Sequence, residues 1–371
     1  MIKKVAARVH ALILRKKWNM NSSGASLLGG VYRQDYKKHK NHILKVYSIH
    51  QQGYSWDDWH VNELTKDNCS AYLRTAQYYA MHPLNGRFSH WIDDKLTLKY
   101  LCAGTSLDKY MPKYYYQIDS NGRALALPDA PPPPRDNECC TAEDIIQLLE
   151  DLGELALKRV AGSLGEGFYK ATHTDGVYYL NDVTYSKDEL VKKFEELKDY
   201  LVTEYLHPHK DMIPFSADTV NTLRYLVGRD EAGKMNLIKS YIRFGTKVSG
   251  FVENYAAGGV LCFVSDKGIF EYGNLLDLKK MRNSIIQKHP DTKIELKGKI
   301  PLWNEIQTAA DEFGNFFPQM DYLGLDFVVT NKEEVKILEI NSLTSLDAIQ
   351  LQGSILKTPQ GEFFRKRLKT I

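Results

Sequence analysis

No two cysteines are spaced as CxxC, and the five present (Cys69, Cys102, Cys139, Cys140 and Cys262) are odd in number. That pattern excludes a disulfide framework and a thiolate zinc site, and it points to a reducing, cytoplasmic compartment. A formal charge of +3 with no compact Lys/Arg run gives no nucleic-acid-binding signature. The glycine patterns that usually announce phosphate binding are also missing. There is no Rossmann GxGxxG and no Gly-Lys-Ser/Thr of the Walker A type. Internal repeats and long low-complexity tracts are absent as well.

What is present describes a globular chain of 371 residues with room for two or three domains around a shared cleft. Its 43% hydrophobic and 26% charged residues are ordinary. The 23 tyrosines fit a well-packed core, with sugar-handling surfaces as the other reading. The first eighteen residues carry Ile2, Val5, Val9, Ile13 and Leu14 between basic residues. This reads as a short amphipathic helix, too brief and too charged to span a bilayer and lacking a signal-peptide cleavage site. A structural helix is the favoured reading, and peripheral contact with an anionic membrane is the other.

Helical patterning dominates residues 31–90, and HWIDDKLTLKYLCAGTS reads as one helix ending near Gly104. The prolines at 131–134 form a stiff connector. Thr141 and Asp144 then mark a capping-box start to a helix. Strand, glycine-rich loop and strand follow as a hairpin over LALKRV-AGSLGEGFYKA, with VYYLNDV after the turn at Asp175-Gly176. Leu190, Phe194 and Leu197 give SKDELVKKFEELKDY a helical stripe. LVTEYL and the later runs alternate strands and turns, ending in GLDFVVTN and EVKILEIN. The succession predicts an α+β fold with largely antiparallel pairing in its second half.

Four constellations carry chemistry. Glu339 and Asn341 stand two apart on one strand and so share a face, with Leu338 and Ile340 expected on the other, buried face. Asp326, among apolar neighbours in the partner strand, is costly without a cation. Hard oxygen donors of this kind suit magnesium, though an exposed polar face of an edge hairpin reads equally well. Lys158 precedes Gly162, Ser163, Gly165 and Gly167, a stretch that either cradles phosphate with backbone N–H groups or is a plain structural turn. Glu204-Tyr205, with Asp211 further on, offers acceptors to a base and a ribose, or is a strand leaving the core; His207 and His209 beside Pro208 read as solvated. Arg224 and Arg243 lie in apolar strands and each needs an anion. A structural salt bridge suits Arg224. For Arg243, near Asn254 and Gly258-Gly259, a phosphate or oxyanion role is preferred.

Order and spacing together resemble the ATP-grasp superfamily, in particular its sugar-transfer-associated branch. The matching segments run from DDKLTLKYL through ALKRVAGSLGEGFYKA, VTEYLHPHKDM, TVNTLRYLVG, SYIRFGTKVSGFVENYAAGGV and LGLDFVVT to ILEINSLTSLDAIQLQG, covering residues 91–353. The resemblance implies two α+β subdomains clasping ATP, with a helical N-terminal extension. It implies boundaries at 1–90 (helical region), 91–205 (lid) and 206–371 (subdomain with the metal site). Lys95 and Lys158 would contact nucleotide, and residues 162–167 would form a flap over the phosphates. Glu204 and Tyr205 would form the adenine hinge, with Asp211 near the ribose. Asp326, Glu339 and Asn341 would hold Mg2+, and Arg243 and Lys158 would be catalytic. Arg224, Asn254, Gly258 and Gly259 are the substrate-side candidates. Two positions depart from the family pattern: Arg159 replaces a frequent proline, and SLTSLD replaces the usual Pro-Gly segment after the metal asparagine.

The function so implied is an ATP-dependent carboxylate–amine ligase acting through an acyl phosphate. Its small-molecule partners would be a sugar acid and an amine of cell-surface polysaccharide (capsule) biosynthesis. An ATP-dependent phosphotransferase and a non-catalytic nucleotide-binding assembly protein are the alternatives.

Overall fold

The computed structural model describes residues 2–131, 140–160, 167–216, 219–250 and 252–370, with side chains from Val9 onward. The proline connector beyond Pro131, and Gly162, Ser163 and Gly165 of the expected flap, lie outside those residues.

Six helices open the chain: α1 (Ile2–Trp18), α2 (Ser22–Lys38), α3 (Ile43–Gln51), α4 (Trp56–Val61), α5 (Thr75–Met81) and α6 (Ser89–Asp93). Asn21 starts α2 by accepting from the Gly24 N–H at 2.8 Å. Gly24 also lets α2 approach the backbone of α5, since a Cβ there would sit 2.2 Å from the Tyr79 carbonyl oxygen. Leu14, Leu28, Tyr32, Ala76 and Ala80 close the core between α1, α2 and α5. The helix expected over residues 90–104 is two helices. Asp94 is extended between them and caps α7 (Lys95–Cys102), accepting from Thr97 N–H at 2.7 Å. An aspartate serves better as an N-cap than in a helix interior, and the break sets Lys95 on the first turn of α7.

The first sheet contains β1 (Tyr114–Ile118), β2 (Ala124–Ala126), β3 (Glu154–Arg159), β4 (Tyr169–Thr174), β5 (Val177–Leu180), β6 (Val183–Tyr185) and β7 (Tyr200–Thr203). Their order is β2-β1-β7-β3-β4-β5-β6, with every neighbouring pair antiparallel. Helices α8 (Ala142–Leu152) and α9 (Lys187–Glu196) cover one face. The Thr141/Asp144 capping box opens α8, and Gly153 closes it in the left-handed region at φ +80°. Ile145, Ile146, Leu149, Leu190 and Phe194 bury against Leu155, Leu157 and Val202. Each such side chain contributes about 1.5–3 kcal/mol of transfer free energy.

The second sheet takes β8 (Leu223–Arg229), β9 (Met235–Phe244), β10 (Val260–Phe263), β12 (Gly273–Asp277), β13 (Arg282–Ile286), β15 (Tyr322–Val329) and β16 (Val335–Asn341). The order is β13-β12-β10-β9-β8-β15-β16, antiparallel throughout. A two-stranded ribbon, β11 (Ile269–Phe270) with β14 (Gly298–Lys299), stands beside it. Helix α10 (Trp303–Phe316) buries Trp303, Ile306, Ala309 and Phe313 in the core of this sheet, which also takes Leu98 and Cys102 of α7. Two short helices, α11 (Leu346–Gln350) and α12 (Glu362–Leu368), end the chain.

The N-terminal helices are fastened to this second sheet by polar bonds. Tyr78 donates to the Thr344 carbonyl at 2.8 Å, Asn85 bonds the backbone of Tyr322 in both directions, and Gln350 does the same for Leu73. Buried bonds of this kind, with both partners satisfied, fix geometry more than they add net stability. Among the described residues, no helix is long and apolar enough to cross a membrane.

Candidate functional site

One row of side chains crosses the second sheet. Strand pairing sets Tyr241 of β9 opposite Arg224 of β8, Arg224 opposite Asp326 of β15, and Asp326 opposite Glu339 of β16. Directly opposed residues share a face, so antiparallel register alone brings these four together from positions far apart in sequence. Asp326 is 1% exposed and accepts from Arg224 through a two-pronged pair, Nε to Oδ1 and Nη2 to Oδ2 at 2.9 Å. Arg243, two residues beyond Tyr241, adds Nη2 to the same Oδ2 at 3.1 Å. The Asp326 carboxylate raises the pKa of both guanidiniums against the opposing effect of burial. Arg224 thus has the structural ion pair expected of it, and Arg243 shares its anion.

The hairpin β15–β16 departs from simple alternation. A bulge sets Asp326 opposite Glu339 but Phe327 opposite Ile337, leaving Leu338 unpaired. Leu338 therefore lines the cleft beside Glu339, while Ile337 and Ile340 are buried; the buried position expected for Leu338 is corrected by this extra residue. Glu339 accepts from Lys95 Nζ at 2.9 Å and from Asn341 Nδ2 at 3.2 Å. Burial alone would raise its pKa, but Lys95 and Arg224 outweigh that and hold it at about 2.

These groups form the floor of a cavity of about 480 Å³ between the two sheets. From the first sheet comes Lys158 of β3, its ammonium 4.9 Å from the centre of the Tyr114 ring. Burial and the neighbouring Lys95 ammonium lower the Lys158 pKa to about 7. The cleft thus sets Lys95, Lys158, Arg159, Arg224 and Arg243 against Glu204, Glu253, Asp326, Glu339 and Asp347, as many carboxylates as basic groups. The Arg243 Nε–H is buried and, among the described residues, has no hydrogen-bond partner. A buried, unpaired guanidinium N–H costs a few kcal/mol unless a ligand accepts it.

Strand β7 ends at Thr203, so Glu204 and Tyr205 lie just beyond it, both lining the cleft with Leu206 and Phe168. The Glu204 N–H donates to the Lys113 carbonyl at 3.0 Å, and the Glu204 side chain accepts from Lys113 N–H at 2.8 Å, which pins this segment to the start of β1. Tyr205 carries the Lys170 ammonium 4.1 Å from its ring centre. Asn254 reaches the cleft while capping the turn at Tyr255–Ala257. Gly167, Asp211, Gly258 and Gly259 do not line it. Asp211 is exposed, 3.7 Å from His209, and Gly258 and Gly259 shape the return from that turn to β10.

Thr222, Tyr241, Glu253, Tyr79 and Asp347 also line the cleft, with little in the sequence to single them out. Tyr79 comes from α5, and nothing distinguishes it from the other tyrosines in the sequence. Asp347 had a signal, the SLTSLD segment that departs from the family pattern. Its Oδ1 accepts from Ser345 Oγ and from Ala348 N–H, and among the described residues its Oδ2 has no hydrogen-bond partner. Asp93 of α6 anchors the same segment through Ser342 N–H at 2.8 Å and Ser342 Oγ at 2.6 Å.

The oxygen donors fit magnesium in part. Glu339 is held ionised, and among the described residues Asn341 uses only its Nδ2, so its Oδ1 is open to a ligand. Asp326 differs, because both of its oxygens accept from arginine and one of those bonds would have to loosen for a metal to enter. Among the described residues, no three His, Cys, Asp or Glu side chains cluster as metal ligands.

The sequence profile of the family described as sugar-transfer associated ATP-grasp matches residues 74–361. The chain therefore belongs to that family. Among solved structures it is similar to D-alanyl-alanine synthetase A from Vibrio cholerae O1 biovar eltor, at 14% identity and a TM-score of 0.43, covering 78% of this chain and 66% of that one. The ATP-grasp ligase PsnB with its minimal precursor follows at 10% identity, a TM-score of 0.41, and coverages of 78% and 64%. The purK N5-carboxyaminoimidazole ribonucleotide synthetase in its ADP complex has 10% identity, a TM-score of 0.38, and coverages of 71% and 48%. The chain thus spans about two thirds or less of the length of these structures. No curated protein matches its sequence.

Proposed function

We propose that the chain is an ATP-dependent carboxylate–amine ligase acting through an acyl phosphate, joining an amine to a sugar acid of a cell-surface polysaccharide. The observation that carries this reading is the cluster of Lys95, Lys158 and Arg243 in the cleft, where the buried Arg243 Nε–H has no acceptor among the described residues. Such a cluster of donors suits a polyphosphate and the charge that develops as phosphoryl is transferred. In this reading residues 91–205 act as the lid, 206–371 as the base, and 1–90 as an added helical block.

Lys158 and Lys95 hold the phosphates, and the segment Glu204–Leu206 faces the adenine. Magnesium on Glu339 and Asn341 neutralises charge on the phosphate oxygens when bound. A substrate carboxylate oxygen attacks the γ-phosphorus and ADP leaves, Arg243 donating to the transferred group. The amine nitrogen then attacks the acyl carbon, phosphate leaves, and the amine gives up its proton. Asp347, whose Oδ2 has no partner among the described residues and which lines the cavity with Tyr79, Tyr241 and Tyr255, orients that amine in this reading.

A mass-spectrometric screen of uronic acids against amino acids and amino sugars, with ATP and Mg2+, tests the reading. The expected result is a condensed product together with ADP and free phosphate in equal amounts. A phosphorylated acceptor without free phosphate would replace the ligase by a phosphotransferase. No ADP formation with any pair would remove the catalytic reading.

A further inference from the structure

The chain's small net charge conceals a strong asymmetry. Residues 1–50 contain eleven lysines and arginines and one acidic residue, Asp35, a net charge of +10, so the rest of the chain carries −7 of the total of +3. The structure sharpens the imbalance. Asp35 is buried, accepting from His50 Nε2 at 2.9 Å and from Trp56 N–H at 2.8 Å, whereas Arg15, Lys16, Lys17, Arg33, Lys37, Lys38, Lys40 and Lys45 are all exposed. The basic residues form no compact run, because three helices share them.

Apolar side chains stand among these charges. Leu12 and Ile13 of α1 are each 58% exposed, Val9 is also exposed, and the three line one shallow groove with Lys16 and Lys17. Positions 9, 12, 13, 16 and 17 fall on one helical stripe, while Leu14 turns inward to the core of the block. Helix α3 adds Ile43, Tyr47 and Leu44, the last 85% exposed. Lys17 donates to the Gln51 side chain at 2.8 Å, so the C-terminal ends of α1 and α3 lie side by side.

We propose that α1 and α3 form a docking surface for an anionic lipid bilayer, with Val9, Leu12, Ile13 and Leu44 entering the headgroup boundary and the surrounding lysines and arginines resting on anionic headgroups. Charge and apolarity together select this occupant. Basic residues near an anionic leaflet are attracted cooperatively, and an apolar stripe between them gains by leaving water. A nucleic acid would use the charges and leave the stripe in water. A second copy of the same face would bring +10 against +10. The surface is separate from the cavity between the sheets, so the inference does not depend on the proposed reaction.

The test is co-sedimentation of the full chain with vesicles of phosphatidylcholine alone and with vesicles of equal parts phosphatidylcholine and phosphatidylglycerol. Binding is expected to the anionic vesicles only and is weakened by added salt. Leu12→Glu with Ile13→Glu is expected to lower the partition coefficient on the order of 100-fold, since two apolar side chains no longer gain by burial. Both side chains are exposed, so circular dichroism and the thermal transition of this variant should match the parent. Equal binding to both vesicle types, no binding to either, or unchanged binding by the variant overturns the proposal. So does tight binding of single-stranded RNA that the variant retains in full while vesicles are ignored, or sedimentation that follows self-association without lipid.

Discussion

Asp326→Asn is the substitution on which the electrostatics of the cleft floor turn. The side chain is 1% exposed and its two oxygens accept from three arginine N–H groups. The amide is nearly the same size, so no cavity forms, yet two buried guanidiniums lose their anion. Removing one partner of a buried ion pair costs about 3–5 kcal/mol. With a urea slope of about 3 kcal/mol/M, the unfolding midpoint should fall by about 1–1.7 M, with the slope unchanged. The measurement is made without nucleotide or metal, because there the sign discriminates. If Asp326 only awaited a metal beside Glu339, removing its charge would relieve like-charge repulsion and leave the protein as stable or more so. Adding Arg224→Met to the variant should then cost less than the two single changes summed, by about 1–3 kcal/mol, because the pair is coupled. A midpoint for Asp326→Asn within about 0.3 M of the parent, or above it, would refute the pairing as the source of stability.

Three further outcomes follow from the same cleft. Lys158, whose pKa is lowered to about 7, should regain its proton when a polyphosphate enters. Calorimetry in buffers of different ionisation enthalpy should show proton uptake above pH 7 and nucleotide affinity falling as pH rises, both lost in Lys158→Met. Glu339, held at about 2 in the folded protein, supports stability that is complete above the unfolded pKa near 4.5 and is lost as pH falls from there toward about 2. Glu339→Gln should flatten that acid limb of a thermal-unfolding profile and, under the proposed function, lower kcat by on the order of 100-fold or more. Asp347→Asn should raise KM for the amine by about tenfold while leaving KM for ATP unchanged, as expected for the loss of one charge-assisted hydrogen bond of about 1.5 kcal/mol.

The sequence alone determined the features that depend on local order. The α+β alternation, the capping box at Thr141, the helical stripe of α9 and the pairing of Glu339 with Asn341 on one face all follow from periods of two or 3.6 residues and from short-range hydrogen bonds. The ordered series from Lys95 to Asn341 was legible too, and with it the family. Register was not. Nothing within a few residues of Arg224 says that Tyr241 and Asp326 stand opposite it, because strand pairing is settled by which faces can be buried across the whole sheet. The bulge that turns Leu338 into the cleft, the cap at Asp94 that splits an apparently continuous helix, and the arrival of Tyr79 from α5 are decisions of the same kind. Only the tertiary structure showed that the carboxylate of Asp326 is already held by two arginines, and that one oxygen of Asp347 has no hydrogen-bond partner among the described residues. A buried charge is defined by what surrounds it in space, and a linear sequence names the charge without naming its surroundings.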